Sequence, residues 1–225
     1  LILEMIEEAA LADAGCGNDL VDGDGVDLGT SAGGFNTGTY TFNGVDITVN
    51  GVGAFGFRAT NSGTVTINDP GGTNQITSNN GTAVFINPTV TNITLRNVTS
   101  TNSTDSGVEI DLGSAGSTFT VTGTTTITNS TNAGIHVNAS DGTISFGNTV
   151  IDNTGTAGGG VQIDGAGNRT VSFTGGLDID TTTGTGFSAD GSGGSLTLNV
   201  ANAGTETINT TTGQILNLNQ VTIGT

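Results

Sequence analysis

A short motif returns along this chain at a nearly constant interval. An apolar residue, a Thr or Ser, and a second apolar residue recur about every 26 positions. The copies are Tyr40-Thr41-Phe42, Val65-Thr66-Ile67, Ile93-Thr94-Leu95, Phe119-Thr120-Val121, Ile144-Ser145-Phe146, Val171-Ser172-Phe173, Leu196-Thr197-Leu198 and Val221-Thr222-Ile223. Alternation with a period of two gives a strand one apolar and one polar face. Self-similarity at an interval of this size is the signature of stacked architectures.

Each unit holds two further strand-like pieces. One is centred on Ile47, Ile76, Val98, Ile127, Ile151, Ile179 and Ile208; the other begins at Phe55, Val84, Val108, Ile135, Val161, Phe187 and Leu216. The third piece often follows a glycine, as in Gly107-Val108, Gly134-Ile135, Gly160-Val161 and Gly186-Phe187. Three short strands per unit make a triangular coil. One coil is too thin to enclose a core, so coils must stack, with like strands pairing in parallel at about 4.8 Å. The expectation is an all-β, right-handed parallel β-helix of about seven to eight three-strand coils over residues 26–225.

Stacking predicts that the residue three places after each third-strand start falls in one column. Those residues are Asn87, Asp111, Asn138, Asp164, Asp190 and Asn219, with Arg58 as the exception in the first coil. Asn and Asp tolerate left-handed backbone angles and suit a sharp turn, and stacked Asn side chains pass hydrogen bonds between coils. On these residues the chain resembles the right-handed parallel β-helix superfamily, whose pectate-lyase members carry an Asn ladder at one turn. With rungs such as Phe119-Thr120-Val121 and Ser195-Leu196-Thr197-Leu198 it also resembles the repetitive passenger regions of secreted bacterial adhesins and autotransporter-like surface proteins. That resemblance implies a fold and a setting at the cell surface, not an activity.

The ends read differently from the middle. Residues 1–14 place Ile2, Met5, Ile6 and Ala9 on one helical face and Glu4, Glu7 and Glu8 largely on the other. A short capping α-helix within an N-terminal segment, 1–25, would shield the first coil from non-specific pairing. At the other end Val221-Thr222-Ile223 begins a further rung. The expected partner there is the chain itself, head-to-tail through an open coil, with a host or neighbouring-cell surface as a second partner.

The formal charge is −17, from 20 acidic residues against three arginines and no lysine. Nucleic acid is excluded as a partner, because neutralising phosphates takes clustered Lys and Arg. A lysine-free acidic surface suits an extracellular life. Cys16 is the one cysteine, so no internal disulfide forms. Ala14-Gly15-Cys16 resembles part of a lipobox, but Asp13 and the nearby glutamates interrupt its pattern. No apolar run approaches the roughly 20 residues that span a bilayer.

Several motifs carry candidate chemistry. Asp22, Asp24 and Asp27 lie in a Gly-rich acidic stretch that would hold calcium weakly, although its spacing does not fit an EF-hand loop. Asp178 and Asp180 flank Ile179, with Asp152 one coil away, and form the carboxylate cluster that a polysaccharide lyase or hydrolase would require. None of the arginines falls in an obvious Asp-rich strand group, and Trp is absent, so no enzyme is expected. His136 should face outward without a catalytic constellation around it. The outward residues Thr41, Thr66, Thr94, Thr120, Ser145, Ser172 and Thr197 form a candidate binding face, similar to the flat Thr-x-Thr faces of β-solenoid ice-binding proteins. The function expected first is an extracellular structural or adhesive rod or fibre subunit, with a polysaccharide-active enzyme and an ice-binding solenoid as rivals.

Overall fold

The computed structural model describes residues 23–29, 38–201, 203–204 and 206–224. The helix expected over 1–14, and Asp22, lie outside the described residues. Every regular element among the described residues is a β-strand, and together they form a parallel β-solenoid of about seven turns with a repeat of about 27 residues. First strands such as Thr39–Asn43 and Thr64–Asn68 stack on one another, as do second strands such as Asp46–Val49 and Gln75–Asn79. Third strands, among them Phe55–Thr60, Ala133–Asn138 and Gly159–Asp164, form a further parallel stack. Thr82–Leu95, Val108–Thr128 and Asp141–Asn153 bend through corners and serve more than one stack.

The axis is apolar throughout. Phe119, Ile144 and Val171 pair as direct neighbours on successive rungs. One place further along the inward face, Phe146 pairs with Phe173 at a ring separation of 5.5 Å and 17° between planes. Phe119 meets Phe146 at 5.9 Å and Phe173 meets Phe187 at 5.9 Å, so aromatic contact continues from rung to rung. All four rings are buried. Each adds the hydrophobic gain of a large side chain plus the preference of rings for offset or edge contact.

The register departs from the sequence expectation in four places, each by two residues; in one, Ile67 rather than Val65 lies over Ile93. Leu198, rather than Leu196, lies over Val171, while Leu196 pairs with Arg169. Val98 is continued by Thr125, and Ile127 by Ser100 on the other side, so the second-strand isoleucines do not form one column. Phe57, rather than Phe55, lies over Val84, which puts Arg58 beside Phe85 and Thr60 beside Asn87. A slip of two keeps the same face inward, so the polarity pattern is blind to it. Small hydroxyl residues fill the inward second-strand positions that isoleucine leaves. Ser78, Ser100, Thr125 and Thr149 are fully buried there, and the Ser100 hydroxyl donates to the carbonyl of Gly81 at 2.8 Å.

The turn chemistry also differs from expectation. Asn138 does pair with Asp164 and Asp190 with Asn219, but these are strand residues with ordinary backbone angles. Left-handed angles come one residue later, at Asn61, Ala139, Gly165 and Gln220. A left-handed Asn ladder exists at another corner, between second and third strands. Asn80, Asn102 and Asn129 have φ of 76°, 52° and 57°. The Asn102 amide donates to Asn80 at 3.4 Å and the Asn129 amide to Asn102 at 3.2 Å.

The glycine at the start of most third strands has a steric cause, and Ala83 takes its place ahead of Val84. A Cβ on Gly107 would lie 2.5 Å from Cγ2 of Ile127, and one on Gly134 would lie 2.6 Å from Cγ2 of Ile151. Gly56, Gly160 and Gly186 meet Ile76, Ile179 and Ile208 in the same way. The isoleucine of a second strand thus packs against bare third-strand backbone, and the corner closes only without a side chain. Gly134→Ala should lower the unfolding free energy by about 1–3 kcal/mol through overpacking. Gly116→Ala, where a Cβ meets nothing within 4 Å, should leave it within about 0.5 kcal/mol of the parent in the same urea titration.

Candidate functional site

With inward positions occupied by the core, the outward columns are what the molecule offers a partner. The expected face is not one straight column. Thr66 pairs with Asn92, so Thr94 stands two residues aside, and Ser172 pairs with Asn199 while Thr197 pairs with Thr170. The register builds a different column from the same strands: Thr41, Thr66, Asn92, Thr118, Thr143, Thr170, Thr197 and Thr222. Its neighbour contains Thr94, Thr120, Ser145, Ser172 and Asn199. Hydrogen bonds tie adjacent rungs: Thr118 donates to Asn92 at 3.0 Å, and Asn199 to Ser172 at 3.0 Å. Asn92, which interrupts the threonines in sequence, is a member of the column in space.

The third-strand sheet is less uniform. Its outward column runs Asp27, Arg58, Phe85, Glu109, His136, Gln162 and Ser188. Arg58 lies 3.5 Å from Asp27, with its guanidinium 5.0 Å from the centre of the Phe55 ring. Asp27 therefore sits in the strand Val26–Gly29 rather than in an acidic turn, and Asp24 accepts the backbone N–H of Phe55 at 2.7 Å. Among the described residues no group of three or more His, Cys, Asp or Glu is placed to hold a metal ion.

His136 faces outward and is paired. Its Nε2 lies 3.0 Å from Oδ1 of Asp164, and the Gln162 amide donates to Oδ2 of the same carboxylate at 2.5 Å. Asn132 is held in a similar way, its amide donating to Oδ1 of Asp105 at 2.5 Å. Asn132, His136 and Gln162 border a cavity of about 550 Å³ at the entry to the third strands, with Ser106, Ala157, Gly158 and Ser188 along its floor and rim. Sequence reading missed this pairing because Asp164 was assigned to a turn ladder. The signal was present in the spacing, since His136 pairs with Gln162 and Asp164 follows on the same face two residues later.

Asp152 pairs with Asp180 on the next rung, and Asp178 lies beside Val150. Each carboxylate has a local partner: Asp180 accepts from Asn209 at 2.8 Å, Asp178 accepts from Thr207, and Asp152 accepts from Thr154 at 2.6 Å. Arg169 stands on the strand Gly167–Phe173, which carries no acidic residue. It is buried in the corner between third and first strands, where its guanidinium donates to the carbonyls of Asp164 at 2.9 Å, Asp190 at 3.1 Å and Gly165 at 3.2 Å. Burial lowers its basicity, and Asp164, Asp141 and Asp190 act in the opposite direction. No family model, curated protein or solved structure matches the chain.

One acidic group responds to pH near neutrality. Burial, then the charges of Asp141 and Glu109, pushes the Asp111 carboxyl up to about 6. Burial also raises Glu109, against the attraction of His136. A carboxyl raised on folding takes up its proton in the folded state first, so its contribution to stability grows as pH falls from about 6 to about 4. Partial solvent exposure keeps that contribution to about 1 kcal/mol or less. The melting temperature should therefore rise on acidification from pH 7 to pH 5. Asp111→Asn should melt higher than the parent at pH 7 and show a flatter profile across that window.

Proposed function

We propose that this chain is an extracellular structural or adhesive rod, serving as a section of a larger surface protein or as a subunit that joins head-to-tail. The observation that carries the reading is the continuous stack of like coils, whose first-strand face repeats a hydroxyl residue from rung to rung. In the third-strand core column Val108 and Ile135 are fully buried and Phe187 is 2% exposed, yet Leu216, next in that column, is 49% exposed. Leu218 and Ile223 are likewise exposed at 40% and 60%, around an apolar cavity of about 260 Å³. A further parallel coil laid on these residues, supplied by more of the same chain or by another copy, would bury them. The lysine-free, acidic composition and the repeated hydroxyl columns agree with an extracellular rod that works by its surface.

Sedimentation and negative-stain imaging over a concentration series test the head-to-tail form. The expected result is linear particles that lengthen with concentration, and their loss in the double variant Leu216→Glu, Ile223→Glu with the coil's circular dichroism retained. Particles of one size at all concentrations would reject self-assembly.

A second reading, ice binding, is favoured by the realigned column Thr118, Thr143, Thr170 and Thr197, a run of threonines one rung apart. Strand pairing spaces these hydroxyls at about 4.8 Å on a sheet face, a repeat that a crystalline lattice of water could match. A freezing-point gap that disappears in Thr143→Lys would support it. No thermal hysteresis at any concentration would remove it.

A further inference from the structure

The cavity beside His136 follows the corner where second strands turn into third strands. It touches residues of four successive rungs, from Ser106 through His136 and Gln162 to Ser188. Three rung spacings make it about 14 Å long in the direction of the solenoid axis. Its floor is shallow in side chains because the corner requires glycine, so an extended ligand can lie close to the backbone.

Three polar side chains face this groove, and each is held by a neighbouring carboxylate. Asp105 holds the amide nitrogen of Asn132, while Asp164 holds Nε2 of His136 and the amide nitrogen of Gln162. Each anchored group keeps a second polar atom: the carbonyl oxygen of Asn132, Nδ1 of His136 and the carbonyl oxygen of Gln162. The carboxylates are thereby engaged in orienting amide and imidazole groups, which lowers the ordering cost of binding. The third strands beneath are hydrogen-bonded to neighbours on both sides, so a peptide cannot add here as an extra strand. Recognition falls to amide, imidazole and hydroxyl groups, the set that matches a ligand rich in hydroxyls. A chain of net charge −17 disfavours phosphate, sulfate and uronate groups.

We propose that the groove binds an uncharged oligosaccharide lying along the solenoid axis, with Asn132, His136 and Gln162 as its contacting residues. The proposal rests on the adhesive form of the reading above and names the class of ligand it would take. Self-assembly and glycan binding use different surfaces, so either can fail without the other.

The test is an NMR and calorimetric titration of the intact chain with cellohexaose, xylohexaose, mannohexaose and N-acetylchitohexaose, alongside hexagalacturonate and hexalysine. The expected result is binding of at least one uncharged hexasaccharide, with amide shifts concentrated at 131–136 and 157–162 and little dependence on salt. His136→Ala should weaken that binding tenfold or more. Ala157→Trp, at an exposed rim position, should block it while leaving the melting temperature unchanged. Three outcomes would overturn the proposal. These are failure of every uncharged hexasaccharide at millimolar concentration, binding that survives both substitutions, and salt-sensitive binding of hexalysine in preference to the sugars.

Discussion

Everything in this fold depends on one contact repeated along an axis: a side chain lies against its equivalent one rung away. A single coil of some 27 residues cannot enclose apolar surface, so its inward residues are dry only when coils lie above and below. Parallel pairing sets the spacing, and Phe119, Phe146 and Phe173 show what it achieves, a chain of ring contacts at 5.5–5.9 Å through three coils. The same dependence makes an end coil different in kind from a middle one. Leu216 has the chemistry of Val108 but is 49% exposed, and a further layer would give it the surroundings of Val108.

Stacking solves the apolar problem and creates a polar one at the corners, where strands turn and backbone groups leave the ladder. The structure meets it in three ways. Asn80, Asn102 and Asn129 adopt left-handed angles and link their amides from rung to rung. Bare glycine lets isoleucine pack directly against backbone at Gly107 and Gly134. Arg169 brings one guanidinium to several carbonyls that the third-to-first corner leaves facing inward. A buried arginine without a carboxylate contact is unusual, and here the carbonyl dipoles take the place of the counter-ion, with Asp164 and Asp190 adding their field.

The architecture was legible because it rests on repetition of apolar and polar positions, and repetition survives local noise. Register was less legible. Leu196 and Leu198 have the same side facing inward, so only the length of the preceding turn decides which one meets Val171. Ser100 and Thr125 were invisible as core positions because hydroxyl residues read as outward or as turn. The candidate site was legible only in part. His136 was placed outward from its neighbours Ile135 and Val137, but its pairing with Asp164 depends on a diagonal contact between rungs. A scan for columns finds residues at equal offsets, and a diagonal pair is at unequal ones.

The contrast between the two outward faces bears on what each can recognise. Along the first strands the column is threonine at seven of eight rungs, from Thr41 to Thr222, so all but the Asn92 rung offer the same group at the same spacing. Such a surface gains by matching a partner that is itself periodic, because one more rung adds one more identical contact. Along the third strands the column reads Arg58, Phe85, Glu109, His136, Gln162, Ser188, and no two rungs agree. Uniformity there is not required by the core, since these residues point away from it, and the strands would pair as well with threonine throughout. A non-repeating column on a repeating scaffold distinguishes one position along the axis from another. A ligand bound there is held at one place and in one direction, whereas a ligand on the threonine face is free to shift by a rung.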